Sequence, residues 1–200
     1  MIRKKLNKNQ VIFATQNKNK IIEICDLLNN EFSIVGLNDL NYFDELIESY
    51  QTLEENAIQK ARFISRLFKE NCFADDSGLE VPELNFEPGV LSARYAGPEK
   101  NDVENMNKLL EKLKKSTDRK ANFKTIIALI FNNKEYVFEG VISGSICLEK
   151  RGTNGFGYDP IFVPDGYSKT FAEMDKTEKN SISHRAIAVN KLVNFLNELK

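Results

Sequence analysis

The segment around residues 123–142 constrains the fold more than any other. Two β-rich runs, residues 123–131 and 135–142, flank Asn132-Asn133-Lys134. Asparagine tolerates positive φ, so the spacing predicts an antiparallel hairpin. A hairpin adds an antiparallel component, and the chain does not alternate βαβ cleanly, so a purely parallel, doubly wound sheet is not expected. Residues 11–15 read as a short buried strand. Residues 20–28 read as a helix, with Ile21, Ile24, Cys25 and Leu28 at i, i+3, i+4 and i+7. A second strand fits residues 32–37, beginning at Phe32. Thr52-Leu53-Glu54-Glu55 matches a capping box, with Thr52 at the N-cap of a helix running to about Phe68. Phe73-Ala74 reads as the end of a buried segment entering a polar turn, Asp75-Asp76-Ser77-Gly78. Val103, Met106, Leu110 and Leu113 mark one face of a further helix. Residues 145–148 and 160–163 flank a glycine-rich loop. Ser183 suits the N-cap of a last helix whose apolar face carries Val189, Leu192, Val193, Leu196 and Leu199. The expected class is mixed α/β.

No repeat or linker interrupts the chain, so residues 1–200 read as a single domain. Apolar residues make up 42% of it, which excludes a disordered chain. Lys plus Arg (28) nearly cancels Asp plus Glu (29), leaving a net charge of −1. Polymeric nucleic acid or an anionic membrane would therefore find no bulk attraction, and neither is expected as a partner. Cys25, Cys72 and Cys147 form no C-x-x-C pair and stand beside one histidine. That argues against a disulfide framework and a Cys/His zinc site, and for small buried hydrophobes in a reducing compartment. Residues 1–10 are basic, but the apolar run after them spans only residues 11–14, too short for a signal-peptide core. No run reaches membrane-spanning length, and a cytoplasmic location is expected.

Five stretches could carry chemistry. Thr15-Gln16-Asn17-Lys18-Asn19-Lys20 sits at a strand–loop–helix junction. Such a junction directs backbone N–H groups toward one point, and its lysines add charge suited to phosphate; a solvated, capped loop is the plainer reading. Lys60 falls in the middle of an apolar helix stripe formed by Leu53, Ala57, Ile64 and Leu67. Its ammonium must snorkel to water or meet an anion in a cleft, and removing its charge is expected to preserve or raise stability. In Asp75-Asp76-Ser77-Gly78, adjacent carboxylates on an extended segment point to opposite sides, so one of them can ligate Mg²⁺ or take a proton from water. Residues 152–160 place three glycines around Phe156 and Tyr158, offering close backbone approach and a flat stacking surface. Finally, Lys179, His184 and Arg185 crowd cationic or switchable groups near a helix start, where an anion or a base edge can be held.

Taken in this order, the stretches FATQNKNK, ENAIQKAR, FADDSGLEV, PGVLSARYAG, RGTNGFGYDPIF, KTFAEM and EKNSISHR resemble the inosine triphosphate pyrophosphatase family, the non-canonical purine NTP pyrophosphatases. They span residues 13–185, and GFGYDPIF and SHR are the most specific of them. The resemblance implies an elongated, two-lobed mixed α/β fold with a central sheet and an active-site cleft between the lobes. It also implies a homodimer, a Mg²⁺ requirement, and hydrolysis of ITP, XTP and their deoxy forms to the monophosphate and pyrophosphate. By resemblance, Thr15, Gln16, Asn17, Lys18, Asn19 and Lys20 hold the triphosphate, and Lys60 assists. Asp76 is the proton acceptor and a metal ligand, and Glu48 is the second metal-linked carboxylate. Ser77, Phe156, Gly157, Tyr158, Asp159, Lys179, His184 and Arg185 contact the nucleotide. Gln16 and Asn19 stand where glycine is common in the family, and Ser49-Tyr50 replaces the usual Thr-Gly after the glutamate. Two other readings stay open: a pyrophosphatase for pyrimidine or methylated nucleotides, and a regulator that grips a triphosphate without cleaving it.

Overall fold

The computed structural model describes residues 10–28 and 33–198. Residues 1–9 of the basic N-terminal stretch, Phe32 and Leu199 lie outside the described residues. The strands are β1 (Gln10–Phe13), β2 (Ser33–Gly36), β3 (Cys72–Val81), β4 (Glu87–Pro88), β5 (Lys120–Phe131), β6 (Lys134–Ile146) and β7 (Phe162–Pro164). The helices are α1 (Lys18–Leu27), α2 (Leu53–Phe68), α3 (Asp102–Lys112), α4 (Lys176–Ile182) and α5 (His184–Glu198). Among the described residues the strands form one sheet in the order β2-β1-β3-β5-β6-β7, with β4 paired to β3. β1 runs parallel to both β2 and β3, whereas β4 and β7 pair antiparallel. The mixed α/β class expected from the sequence is what the chain adopts.

The hairpin forms where the asparagines are. Asn132 and Asn133 adopt φ of 50° and 62°, and two successive positive φ values match the right-handed twist of the flanking strands. Thr52 caps α2 by accepting from Glu55 N at 3.2 Å, and its hydroxyl lies 2.7 Å from Glu55 Oε2. Ser183 Oγ accepts from Ala186 N at 3.2 Å at the start of α5.

The chain divides into two compact units, and each has its own core. The first comprises the described residues of 1–76, 126–139 and 188–200. Its core packs Val11, Phe13, Ile24, Phe73, Ile127 and Leu129 against Val189, Leu192 and Leu196. Phe13 and Phe73 are register partners on β1 and β3, and their rings stack at 4.5 Å. The second unit comprises residues 77–125 and 140–187. Its core gathers Leu79, Met106, Leu109, Phe123, Ile161, Phe162 and Phe171.

Three expectations need correction. Asp75-Asp76-Ser77-Gly78 is not a turn: β3 runs through it, and Asp75 and Asp76 are only 1% and 7% exposed. Burial is sustained because the carboxylates meet Lys60, itself buried, and the half-buried Lys20, and because Gly78 lets another chain segment pass. A Cβ there would lie 2.5 Å from Gly89 O. Val103 is exposed; the buried stripe of α3 runs through Asn105, Met106 and Leu109, with the Asn105 amide bonding Ala93 O and Ala96 N. Of the cysteines only Cys72 is buried. Cys25 is exposed, because the inward stripe of α1 passes through Ile24 and Leu28 and leaves it at the margin.

Candidate active site

In the first unit, Lys60 lies at the middle of α2, 5% exposed. Its Nζ donates to Glu48 Oε1 at 2.6 Å, to Asp75 O at 2.8 Å and to Asp76 Oδ1 at 3.3 Å. It therefore does not snorkel: it finds its anions inside the protein. Burial opposes its charge, but Asp76, Glu48 and Asp75 together outweigh that and hold its pKa above the usual lysine value. This overturns the expectation that removing the charge preserves stability, because its loss would strand carboxylates that have been taken out of water.

The alternation of β3 sends its two carboxylates to different lysines. Asp75 Oδ2 meets Lys20 Nζ at 2.9 Å, with the Asp75 side chain fully buried, while Asp76 faces Lys60. Burial pushes the Asp76 carboxyl above its ordinary range; Lys60 and Lys20 pull it back, and Glu48 and Asp75 push it further up. Its Oδ2 is buried with no hydrogen-bond partner among the described residues. Glu48 reaches this point from a loop fastened to α2. Asn56 accepts from Tyr50 N at 2.9 Å and donates to Tyr50 O at 3.2 Å, and Gln59 bonds Ser49 at both its N–H and its hydroxyl. Ser49-Tyr50, the departure from the family pattern, is thus held in place, and Glu48 with it.

Among the described residues no three of His, Cys, Asp and Glu form a closed metal cage. Magnesium is commonly held by one or two carboxylates, with substrate phosphates and water completing its shell. The orphaned Asp76 Oδ2 beside Glu48 is a donor set of that open kind, so the residues fit a hard divalent cation.

The loop before α1 is more fully engaged than its sequence implies. Asn17 Oδ1 accepts from Asn19 N at 3.0 Å and Lys20 N at 3.2 Å, and Thr15 Oγ1 accepts from Asn17 N at 3.2 Å. Three of the N–H groups expected to face an anion are already capped. Gln16 donates to Asp44 O at 2.9 Å, and Lys18 is exposed.

The second unit brings together Ser77, Phe156, Asp159, Lys179 and Arg185. Lys179 Nζ lies 2.6 Å from Asp159 Oδ2 and 5.1 Å from the Phe156 ring centroid. Arg185, 2% exposed, holds its Cζ 5.5 Å from the same ring and donates from Nη2 to Ser77 Oγ at 3.2 Å. Asp159 Oδ2 also accepts from Phe156 N at 2.9 Å, and Gly155 permits this, since a Cβ there would lie 2.0 Å from that oxygen. His184 stacks on Phe123 at 4.6 Å and is 4% exposed. Gly157 N donates to Asp102 Oδ2, and the Tyr158 hydroxyl donates to Ser92 O. Sequence reasoning missed Asn56 and Thr125, which lies 2.7 Å from Ser77 Oγ. Neither carries a spacing signal: one is an asparagine in a helix, the other a threonine in a strand.

The chain is similar to known proteins along nearly its whole length. The model of the Ham1 family matches residues 11–195. A Flavobacterium johnsoniae protein named dITP/XTP pyrophosphatase is 49% identical over 191 residues, covering 96% of this chain and 100% of the relative. A Bacillus licheniformis protein of the same name is 45% identical, covering 94% of this chain and 98% of the relative. The solved structure of the Staphylococcus aureus Ham1 protein superimposes with a TM-score of 0.88 at 41% identity, covering 96% of this chain and 100% of the other. A HAM1 protein from Coxiella burnetii gives a TM-score of 0.87 at 40% identity, covering 94% of this chain and 98% of the other. With the fold, the motifs and both lengths matched, the chain belongs to the Ham1 family.

Proposed function

We propose that this chain hydrolyses non-canonical purine nucleoside triphosphates (ITP, dITP and XTP) to the monophosphate and pyrophosphate, clearing them from the nucleotide pool. The observation that carries this reading is the buried Lys60 ammonium between Glu48 and Asp76, beside the unpartnered Asp76 Oδ2. The names of the relatives, dITP/XTP pyrophosphatase, support the substrate class.

Asp76 is the proton acceptor, orienting and deprotonating the water that attacks the α-phosphorus. Burial raises its pKa above the ordinary carboxylate value, which makes it a stronger base than an exposed aspartate. Lys20 and Lys60 offset charge on the leaving pyrophosphate, and Thr15, Gln16, Asn17, Lys18 and Asn19 bind the triphosphate. Asp76 and Glu48 would hold Mg²⁺, which when bound neutralises triphosphate oxygens. On the base side, Phe156 offers a stacking face, carried on a loop with Gly157, Tyr158 and Asp159. Ser77, Lys179, His184 and Arg185 supply donors. Hypoxanthine and xanthine present a carbonyl acceptor at the purine 6-position, whereas adenine presents an amino donor. A buried donor left without a partner costs about 1–3 kcal/mol, so two mismatches reject ATP strongly. The same reading makes the protein a cytoplasmic homodimer, with residues 1–200 working as a single domain on a small-molecule substrate.

The test is a panel of ITP, dITP, XTP, ATP, GTP and the pyrimidine triphosphates, with and without Mg²⁺ and with pyrophosphate and phosphate assayed separately. Metal-dependent pyrophosphate release from the deaminated purines, lost on chelation, is the expected result. Preference for a pyrimidine, or binding without turnover, overturns the proposal.

A further inference from the structure

We propose that Thr125 is a positioning residue for base recognition, acting through Ser77 on Arg185; this rests on the function proposed above. Thr125 lies on β5, is 0% exposed, and places Oγ1 2.7 Å from Ser77 Oγ. Geometry alone leaves the direction of that bond open, but burial decides it. Among the described residues the Thr125 hydroxyl has no other hydrogen-bond partner. If Ser77 donated to it, the Thr125 proton would be buried without an acceptor. Thr125 therefore donates to Ser77. The Ser77 oxygen also accepts from Arg185 Nη2 at 3.2 Å, so it takes two bonds as acceptor and directs its own proton elsewhere. The consequence is a fixed polarity: Thr125 sets Ser77 as an acceptor, and Ser77 in turn holds the guanidinium whose Cζ sits 5.5 Å from the Phe156 ring. A hydroxyl free to rotate would leave that cation less well defined where the purine is read.

Thr125→Val keeps the shape and removes the donor, and Thr125→Ser restores it. The readout is kcat and KM for ITP, with melting temperature in parallel, after wild-type hydrolysis of ITP has been established. We expect Thr125→Val to raise KM about five- to tenfold, the worth of roughly one hydrogen bond. We expect kcat to stay within about twofold of wild type, as for lost uniform binding. Thr125→Ser should bring KM back. A KM unchanged in Thr125→Val despite a lowered melting temperature assigns Thr125 a structural role and overturns the proposal. So does a fall in kcat alone, or a failure of Thr125→Ser to restore KM. If Thr125→Val does not fold, Thr125→Cys carries the same comparison, because a thiol is a weak donor. A wild type inactive on every purine triphosphate overturns the proposed function itself and is seen before any variant is compared.

Discussion

Asp76, the proton acceptor proposed above, is held where its charge is costly to the fold. Burial raises its pKa above the ordinary carboxylate value of 3.8, so the folded chain binds this proton more tightly than the unfolded one. The group therefore works against folding once it ionises, and stability falls as pH rises from 3.8 through the raised value. Asp76→Asn removes that burden. Because it also takes one anion from the buried Lys60, its metal-free melting temperature should stay close to that of wild type at pH 7, while turnover falls at least about 10²-fold and ITP still binds by calorimetry. Retention of more than about a tenth of wild-type turnover, well short of a general-base loss, would move the proton acceptor elsewhere. Lys60 behaves in the opposite sense. Its pKa is raised, so its contribution to stability is in full force below the ordinary lysine value of 10.5 and is lost only as pH climbs through the raised one. Lys60→Met leaves Glu48 and Asp76 without their shared cation. We expect it to lower unfolding free energy by about 3 kcal/mol, the lower end for a broken buried pair because Glu48 keeps some contact with water. Adding Glu48→Gln should recover part of that loss in denaturant melts; strict additivity of the two changes would mean that the pair is not coupled.

Individual elements show which signals a linear sequence carries well. Local chemistry does: the N-cap at Thr52 and the asparagine pair of the β5–β6 hairpin both form where the residues predict, although Glu55 Oε2 accepts from the Thr52 hydroxyl and not from its backbone N–H, so the reciprocal half of the capping box is not made. Asn133, at φ 62°, gives a direct check on the hairpin. Asn133→Gly should hold or slightly raise stability, whereas Asn133→Val should cost about 1–2 kcal/mol in unfolding experiments. Equal stability of the two variants would show that the turn does not depend on positive φ. Tertiary chemistry is carried poorly. Asp75-Asp76-Ser77-Gly78 has the composition of a turn, but it is strand because β3 lies between β1 and β5 in the sheet, with Lys20 and Lys60, distant in sequence, meeting its carboxylates and Gly89 passing close to Gly78. The capped loop before α1 is similar: Asn17 looked like a phosphate ligand and is also the N-cap of its own helix. Lys60 was legible as an anomaly in an apolar stripe, but its anions were not, because Glu48 and Asp76 become neighbours only when the chain folds.

At the scale of the molecule, two cores support two clusters of candidate site residues. The first unit holds charges suited to phosphate chemistry, and the second holds cations around an aromatic ring suited to a purine. Near-neutral net charge fits a small substrate gripped by local groups rather than a polymer drawn in by bulk field. In the proposed reaction water, assisted by Asp76, attacks the α-phosphorus. That can be read by hydrolysing ITP with Mg²⁺ in ¹⁸O-enriched water and weighing the products by mass spectrometry. We expect one heavy oxygen in inosine monophosphate and none in pyrophosphate. Label in pyrophosphate would put the attack at the β-phosphorus, and labelled inorganic phosphate with inosine diphosphate would put it at the γ-phosphorus; either result would show that the chain does not do the chemistry assigned to it.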